Sequence, residues 1–423
     1  MTPLLAASAA AGLTLAPAGA SASTARSGPE AAVRSAQITE PALPAGEQRV
    51  CPLPTRPGEM QCQSIYLTPT GGRSAHAATA AHAGYNPRSL RDAYRLTAAS
   101  RSRGRGVTVA IVDAFRDPNA GNDLAVYRKF YGLAACTRKN GCLKIVNQNG
   151  NSRHLPRANA TWASEESLDL DAVSAICPRC HILLVEANST SIRSFGPAER
   201  TAARRARFVS NSWSGANFNG ESHFNGAFNH RGHVIDFAAG DFGYGTRFPR
   251  GTAYPTGLPF VTAVGGTRLE HVASRGRAWT ETVWNDASGA TNSGCTRFAR
   301  PSWQRHAASK LRHCSGRIEN DIAATADPEF GMAVFDSYHQ PGWLVFGGTS
   351  EATPLITAMW ALAGRPGAHA YPVSYLYQHP RKFYDVRIGN NGSCKVKWLC
   401  HAERGFDAPT GLGTPLGLAG FRK

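Results

Sequence analysis

Five short runs of apolar residues, separated by segments long enough for helices, constrain the fold of this 423-residue chain most strongly. The runs cover residues 107–112, 181–185, 208–213, 234–239 and 260–264, and the first of them is continuous rather than alternating. A continuous apolar strand is buried on both faces, which is typical of a parallel sheet. Helical spacing near 119–131 follows the first run. The pattern predicts an α/β fold, with a mainly parallel sheet and helices on both faces.

Composition divides the chain into three stretches. Residues 1–23 are apolar and rich in small residues, with Ala18-Gly19-Ala20 as a signal-peptidase site, which predicts an export signal. The alternative for this stretch is an Ala-rich disordered tail. Residues 24–83 are rich in Ala, Pro, Ser, Thr and Gly and are interpreted as a linker or short pro-segment. Residues 84–423 hold the alternating pattern, and no apolar run is long enough to span a bilayer.

The ten cysteines favour an oxidising compartment, so we expect a secreted, extracellular protein. They form five couples that are close in sequence: Cys51 with Cys62, Cys136 with Cys142, Cys177 with Cys180, Cys295 with Cys314, and Cys394 with Cys400. The motif Cys177-Pro-Arg-Cys180-His181 also matches haem-attachment, redox and metal patterns. Because no second CxxC lies at zinc-finger spacing, a structural disulfide is the preferred interpretation.

The net charge of +17 raises the question of an anionic partner such as nucleic acid. The arginines, however, are scattered singly or in short groups such as Arg204-Arg205. No basic block is interleaved with aromatic residues, as a groove for single-stranded nucleic acid requires. The sequence therefore predicts no nucleic-acid partner.

A candidate nucleophile is Ser350, in the stretch Gly347-Gly348-Thr349-Ser350 before an apolar helical segment. Glycines before a serine at a helix start allow a tight turn that presents the hydroxyl. The alternative is a plain helix N-cap. The continuation through Pro354 is similar to the nucleophile stretch of subtilisin-like peptidases. Those enzymes supply their base from a His-Gly-Thr stretch, which this chain lacks, so another residue must accept the proton.

Two acidic residues within 162–178 are the candidate base. If this segment is helical, Glu165 and Asp169 share a face, and apolar residues continue that face towards the interior. Burial of the pair forces its members to share a proton and raises a pKa. Such a carboxylate can act as a general base in acid, where histidine would be protonated. Glu166 and Asp171, by contrast, are interpreted as solvated charges at the helix start.

A third candidate is Asp241, in Ala239-Gly240-Asp241-Phe242-Gly243 directly after a predicted buried strand. An active-site loop at a strand end is typical of α/β sheets. A protonated aspartate there can donate a hydrogen bond to an oxyanion. The alternative for this aspartate is an ordinary Asx turn.

Taken in order, these stretches resemble the sedolisin (serine-carboxyl peptidase) family, which includes the kumamolisins. The resemblance covers about residues 84–423 and also includes 109–113, Ser210-x-Ser-Trp213, 254–267, 326–328 and 410–415. It implies a subtilisin-like α/β fold and an endopeptidase that acts on proteins or peptides in acid, and we expect a monomer. It implies that Glu165, Asp169 and Ser350 are catalytic and that Asp241 serves the oxyanion. It also implies that Asp113 and Trp213 extend the carboxylate network.

The same resemblance implies one bound calcium ion near the C-terminus. The side-chain ligands would be Asp385 and Asp407, and the carbonyl ligands would be those of Val386, Glu403 and Gly405. Glu403 stands where the family commonly has glycine, and Phe242 stands where it usually has serine. Residues 24–83 are also too short for the family's large pro-domain. The alternative function is a catalytically inactive secreted binding protein on a peptidase scaffold, although every expected catalytic position is filled.

Overall fold

The computed structural model describes residues 43–68, 83–245, 253–272, 277–305 and 313–423. These ranges belong to one compact unit that starts at Glu40. The predicted export signal at 1–23 lies outside the described residues. Within them, no helix is long and apolar enough to cross a membrane.

The described residues form helices α1–α7, which are Pro87–Ala93, Thr97–Ser102, Ala120–Phe130, Ala160–Ile176, Ile192–Arg205, Thr349–Ala363 and Val373–Gln378. They also form strands β1–β18. These are Glu47–Arg49, Gln61–Cys62, Ile65–Leu67, Thr108–Ala114, Leu143–Asn147, His181–Ala187, Phe208–Asn211, Trp213–Ser214, Val234–Ala238, Thr262–His271, Trp279–Val283, Gly294–Ala299, Gly316–Glu319, Ile322–Thr325, Met332–Asp336, Gly342–Gly347, Phe383–Tyr384 and Thr414–Pro415.

The central sheet has the order β11-β10-β9-β7-β4-β6-β5, with β14 beside β10. Its neighbouring strands are parallel except for the pair β10–β11. The five apolar runs correspond to β4, β6, β7, β9 and the start of β10, which confirms the predicted fold class. Every residue from Val109 to Ala114 is buried, because helices cover the sheet around β4. Helices α4 and α6 pack against each other and against β4, and α5 packs on β4 and β6.

Residues 43–68 belong to the folded unit, although their composition indicated a linker or pro-segment. Strand β1 pairs with β3, β3 pairs with β16, and β2 pairs with β8. A few apolar side chains anchor the segment, since Val50, Met60 and Ile65 are buried. Residues 43–68 therefore pack against the predicted peptidase domain, and their assignment as a linker or short pro-segment stays a prediction. The average composition of the segment did not reveal this packing, because only a few of its residues are buried apolar side chains.

All five predicted cysteine couples are disulfides in the structure. Cys177 and Cys180 are bonded to each other, so neither sulfur is available to haem or zinc. The side chain of His181, which completes the motif, is exposed at the start of β6.

Candidate active site

The site lies at the carboxyl edge of the sheet, where adjacent strands end. Strand β4 ends just after Asp113, β7 is followed by Ser212, and β9 is followed by the loop that holds Asp241. Since β7 lies between β4 and β9, these three residues come from neighbouring strands. Ligand and catalytic sites of parallel sheets form at this edge. Helix α6 starts here and brings Ser350 to the same place.

Ser350 is in the first turn of α6, after Gly348. Gly348 has a φ of +98°, and a Cβ there would lie 2.6 Å from Oδ2 of Asp241, so only glycine fits. The Ser350 hydroxyl is 2.9 Å from the carbonyl oxygen of Ser212. Pro354 has no N–H to donate to the Ser350 carbonyl, and this carbonyl lies 3.3 Å from Oγ of Ser212.

Helix α4 carries the predicted base pair. It starts after Asn159, whose side chain accepts a hydrogen bond from the N–H of Trp162 and caps the helix. Glu165 and Asp169 are fully buried. The Ser212 hydroxyl donates to Oδ1 of Asp169 at 2.7 Å. The structure therefore brings the expected pair to the expected serine.

Burial raises the pKa of both Glu165 and Asp169 well above the usual range, and the nearby Asp113 raises both further. The hydroxyls of Ser350 and Ser64 beside Glu165 offset part of this rise. Burial also raises the pKa of Asp113 to about 8. Three neighbouring buried carboxyls cannot all ionise together, so the cluster holds shared protons in acid.

The interpretation of Glu166 and Asp171 as solvated charges is wrong. Both are buried, because α4 is covered on all sides by α1, α3, α6, β4 and β15. Oε2 of Glu166 accepts from the N–H of Asp117 at 3.1 Å, and Oδ2 of Asp171 accepts from the N–H of Phe335 at 3.0 Å. Burial raises the pKa of each well above its usual range.

Asp241 faces the start of α6 in a fixed orientation. Its Oδ1 accepts from both the N–H and the hydroxyl of Thr349, each at 2.8 Å. Its Oδ2 is buried and has no hydrogen-bond partner among the described residues. Burial raises the pKa of this carboxyl to about 7, while hydrogen bonds from Thr349 and the charge of Arg49 act against the rise. At acid pH, Oδ2 therefore carries a proton that it can donate.

The loop around Asp241 is held by Asn292. This side chain accepts from the N–H of Phe242 at 2.9 Å and donates to the carbonyl of Ala239 at 3.0 Å. The Phe242 ring turns away to contact the N-terminal segment, with the guanidinium of Arg49 4.6 Å from its centroid. The departure from serine at this position therefore creates a contact with residues 43–68.

Trp213 is buried beside the site, and its Nε1 donates to the carbonyl of Val112 at 2.8 Å. It thereby braces the end of β4, where Asp113 lies, through the main chain. Both Asp113 oxygens are without a hydrogen-bond partner among the described residues. Asp113 thus raises the pKa of the base pair by electrostatic coupling and makes no direct hydrogen bond to it.

Residues 61–64 cross the site from the N-terminal segment. The N–H of Gln63 donates to Oγ of Ser350 at 2.9 Å, and the N–H of Ser350 donates to the carbonyl of Gln63 at 2.8 Å. The Ser64 hydroxyl donates to Oε2 of Glu165. As a result, Ser350 and Glu165 are fully buried.

Sequence reasoning missed four residues of this site: Gln63, Ser64, Ser212 and Thr349. Ser212 and Thr349 lie inside the motifs Ser210-x-Ser-Trp213 and Gly347-Gly348-Thr349-Ser350, so their proximity to the site could have been inferred. The one sequence signal near Gln63 and Ser64 is the couple of Cys51 and Cys62, which is followed by the short apolar run 65–67. Nothing local connects that run with Ser350, which is 287 residues away.

The two aspartates expected to bind calcium each contact the main chain of one expected carbonyl residue. Oδ1 of Asp385 accepts from the N–H of Gly405 at 3.0 Å, and Oδ2 of Asp407 accepts from the N–H of Glu403 at 3.0 Å. Glu403 is not among the described non-glycine residues with positive φ, so glutamate fits this backbone. The guanidinium of Arg387 pairs with Asp385 at 2.6 Å. Burial and the charge of Asp385 raise the pKa of Asp407 to about 8.

Three comparisons agree on the kind of protein this chain resembles. The model of the "Subtilase family" matches residues 158–376, more than half of the chain. Kumamolisin of Bacillus sp. (strain MN-32) is 29% identical over 392 residues, which cover 86% of this chain and 68% of that protein. Sedolisin of Pseudomonas sp. (strain 101) is 33% identical over 208 residues, which cover 44% of this chain and 33% of that protein.

Tripeptidyl-peptidase 1 of Homo sapiens is 30% identical over 214 residues, covering 44% of this chain and 36% of that protein. The matched parts of sedolisin and of this relative are thus about a third of their length. The solved structure of Pseudomonas sedolisin, a serine-carboxyl proteinase complexed with two molecules of pseudo-iodotyrostatin, aligns with a TM-score of 0.63 at 23% identity. It covers 78% of this chain and 95% of that chain, and it supports the fold.

Proposed function

We propose, from the premise that this chain belongs to the subtilase family and to its sedolisin group of serine-type peptidases, that it is an acid-active endopeptidase with Ser350 as nucleophile. Glu165 would be the general base, Asp169 its proton-sharing partner and Asp241 an oxyanion donor. The observation that carries the proposal is the contact of Ser350 and Glu165 with one peptide segment, at residues 63 and 64. A peptide bond is thus held between the proposed nucleophile and the proposed base.

In the first half of the reaction, Oγ of Ser350 would attack the carbonyl carbon while Glu165 accepts the hydroxyl proton. Glu165 would then return this proton to the leaving amine, which departs and leaves an acyl group on Ser350. In the second half, water would repeat the attack with Glu165 as the base, releasing the acid and restoring Ser350. Asp169, held by the Ser212 hydroxyl, would stabilise the protonated state of Glu165 through their shared proton.

The oxyanion would be stabilised by two donors. The N–H of Ser350 is one, and it already binds the carbonyl of Gln63. The protonated Oδ2 of Asp241 is the other donor. It lies beside Gly348, as does the carbonyl oxygen of Gln63. Because both donors are held in a buried site before the reaction, their stabilisation of developing charge needs little reorganisation.

Endopeptidase action is supported by the path of residues 61–67. The chain pairs with β8 before the site and with β16 after it. The cleft at Ser350 thus holds a polypeptide whose chain continues on both sides of the site. An exopeptidase needs a barrier near the site that binds a chain terminus, and the main chain on both flanks of Gln63 continues here.

We propose one calcium ion at Asp385 and Asp407, with carbonyl ligands from Val386, Glu403 and Gly405. Calcium prefers oxygen ligands and would supply structural stability there. The buried Asp407, whose pKa is raised to about 8, fits a cation site because its ionised form needs a positive partner. Among the described residues no cluster of three metal-binding side chains occurs, but this ligand set needs only two carboxylates.

Secretion is supported by the five disulfides, since such bonds persist in oxidising compartments. The substrates would be proteins or peptides, as the names of the peptidase relatives indicate. We propose that the protein acts as a monomer, because every proposed catalytic group comes from one chain.

The decisive experiment is labelling with a fluorophosphonate probe, combined with hydrolysis of an unfolded protein at pH 4 after incubation in acid. Wild type should be labelled at Ser350 and hydrolyse the substrate, and Ser350→Ala should do neither. Ser102→Ala is the matched control, because Ser102 is exposed on α2 and donates to the carbonyl of Ala98. Absence of both labelling and hydrolysis in wild type would favour the inactive binding protein.

A further inference from the structure

A basic groove lies at the amino edge of the central sheet, at the opposite end of the strands from Ser350. Strands β4, β7 and β9 start at this edge, and helices α5 and α6 end there. Since β4 is seven residues long, the groove is about 20 Å from the carboxyl edge. Its main cavity measures about 540 Å³ and is lined by residues 106–108, residues 203–208, His233 and Arg365.

A second cavity continues the groove along the same edge. It measures about 360 Å³, shares Thr108 and Arg205 with the first cavity, and adds Lys144 and His181. The two cavities together, called here the amino-edge groove, extend below the strands β9, β7, β4, β6 and β5. At about 4.8 Å between neighbouring strands, this distance is about 19 Å. The groove is therefore long enough for several charged groups in a row.

The side chains along this groove carry one sign of charge. Neither cavity is lined by an acidic residue, whereas both are lined by permanent cations. Among the residues that the structure describes, none of these cations forms an ion pair with a carboxylate. The cations are Lys144, Arg204, Arg205, Arg207 and Arg365.

The ends of the two helices do not account for this charge. The carboxyl end of an α-helix carries about half a negative charge, which favours arginine in the last turn. Helices α5 and α6 together therefore offset about one of the five positive charges. The remaining excess is available to an anionic ligand.

The arginines also keep free hydrogen-bonding capacity. A guanidinium has five N–H donors. Arg204 donates to Oγ1 of Thr201 at 2.8 Å. Arg205 donates to the carbonyl of Gly150 at 3.0 Å. These partners are neutral, so they orient the side chains without neutralising them.

The chemistry of the groove favours phosphate groups. The guanidinium fork matches two oxygens of a phosphate. In the acid in which the peptidase is proposed to act, ordinary carboxylates lose much of their charge, whereas a phosphodiester stays ionised. Phe208 is the one Phe, Tyr or Trp among the described lining residues, and it is buried, so it offers no surface for stacking a nucleobase.

We propose that the amino-edge groove binds a linear phosphodiester polymer without bases and leaves the active site open at the opposite edge. The choice of phosphate over carboxylate rests on the proposed acid activity, while the positive charge of the groove does not. The cations come from three separate parts of the chain, at residues 144, 204–207 and 365. Their scattered positions in the sequence therefore gave no basic block.

The first test is fluorescence anisotropy of a labelled chain of about twelve abasic phosphodiester units, titrated with wild type at several salt concentrations. Five phosphate contacts should give a slope of log K against log salt of about −3.5. Saturating polymer should leave kcat/KM for a quenched peptide unchanged, because the groove and Ser350 lie at opposite edges. No binding at low salt, or inhibition by the bound polymer, would overturn the proposal.

The second test removes two of the contacts with Arg204→Gln and Arg365→Gln, both at exposed side chains. The slope should fall to about −2, and Kd at about 0.1 M salt should rise about 25-fold. The matched control is Lys395→Ala with Lys397→Ala, which removes the same charge from the exposed loop of the Cys394–Cys400 disulfide. Its Kd should stay within about threefold of wild type. Equal weakening in both variants would show that net charge alone binds the polymer, and would refute the groove.

The third test compares ligands of equal charge. A thymidine strand should bind within about threefold of the abasic chain, because no base is read. Much tighter binding of the thymidine strand, or of a sulfated polysaccharide, would overturn the phosphodiester assignment. Binding is measured without hydrolysis, so the two proposals fail separately. Labelling of Ser350 without polymer binding refutes the groove, whereas polymer binding without labelling or hydrolysis refutes the peptidase function alone.

Discussion

Substitution of Asp241 by asparagine should separate its role as a donor from its charge. Both donors of Thr349 point at Oδ1, and the Thr349 hydroxyl in turn accepts from the N–H of Gly240 at 3.0 Å. An asparagine must therefore place its oxygen at Oδ1 and its NH₂ at the position of Oδ2. That group donates at every pH, whereas the carboxyl donates only when it is protonated.

The magnitude follows from the pKa of about 7 for Asp241. Wild-type activity should fall above this pH, because at pH 8 only about a tenth of the molecules would keep the proton. Asp241→Asn should stay within about tenfold of wild type at pH 5 and lose this alkaline limb. Asp241→Ala should lose about 100- to 1000-fold at pH 5, the usual effect of removing one oxyanion donor.

The assay is kcat/KM for a quenched peptide from pH 3 to pH 9, measured after the enzyme has been incubated in acid. The acid limb should be unchanged in Asp241→Asn, because it reports proton loss from the cluster of Glu165, Asp169 and Asp113. If Asp241→Asn keeps the alkaline limb of wild type, another group controls it and the donor role of Asp241 is refuted.

Other perturbations test the remaining parts of the proposal. Ser350→Ala and Glu165→Ala should each abolish peptide hydrolysis, and kinetics of the double variant should be no worse, because the two residues act as one unit. In thermal melts, a chelator should lower the Tm and added calcium restore it, while Asp385→Ala should melt at the lower temperature in either condition. The Tm should also fall from pH 4 to pH 8. Buried carboxyls such as Glu199, whose pKa is raised to about 8, stay protonated when folded but ionise when unfolded in this range. Glu199→Gln should therefore raise the Tm at pH 8 relative to wild type, and have little effect at pH 4.

The features that sequence predicted well depend on local spacing. The apolar runs predicted the parallel strands because burial on both faces requires continuous apolar residues. The separation of four residues placed Glu165 and Asp169 on one helix face because helix geometry is regular. The five disulfides join cysteines that are close in sequence, so chain connectivity favoured these couples. Oxyanion donation by Asp241 stays a prediction, but its position after β9 was predictable from the buried strand before it.

The features that only the tertiary structure decided depend on what packs against each element. Nothing in the local pattern distinguishes Glu166 from a solvated charge; it is buried because α4 is covered on every side. The unequal environments of the two Asp241 oxygens depend on Thr349, which is 108 residues away. The position of Gln63 at Ser350 depends on strand pairing with β8 and β16. The sequence determined which side chains are able to react. Long-range packing decided which of them are buried and which lie within contact distance of one another.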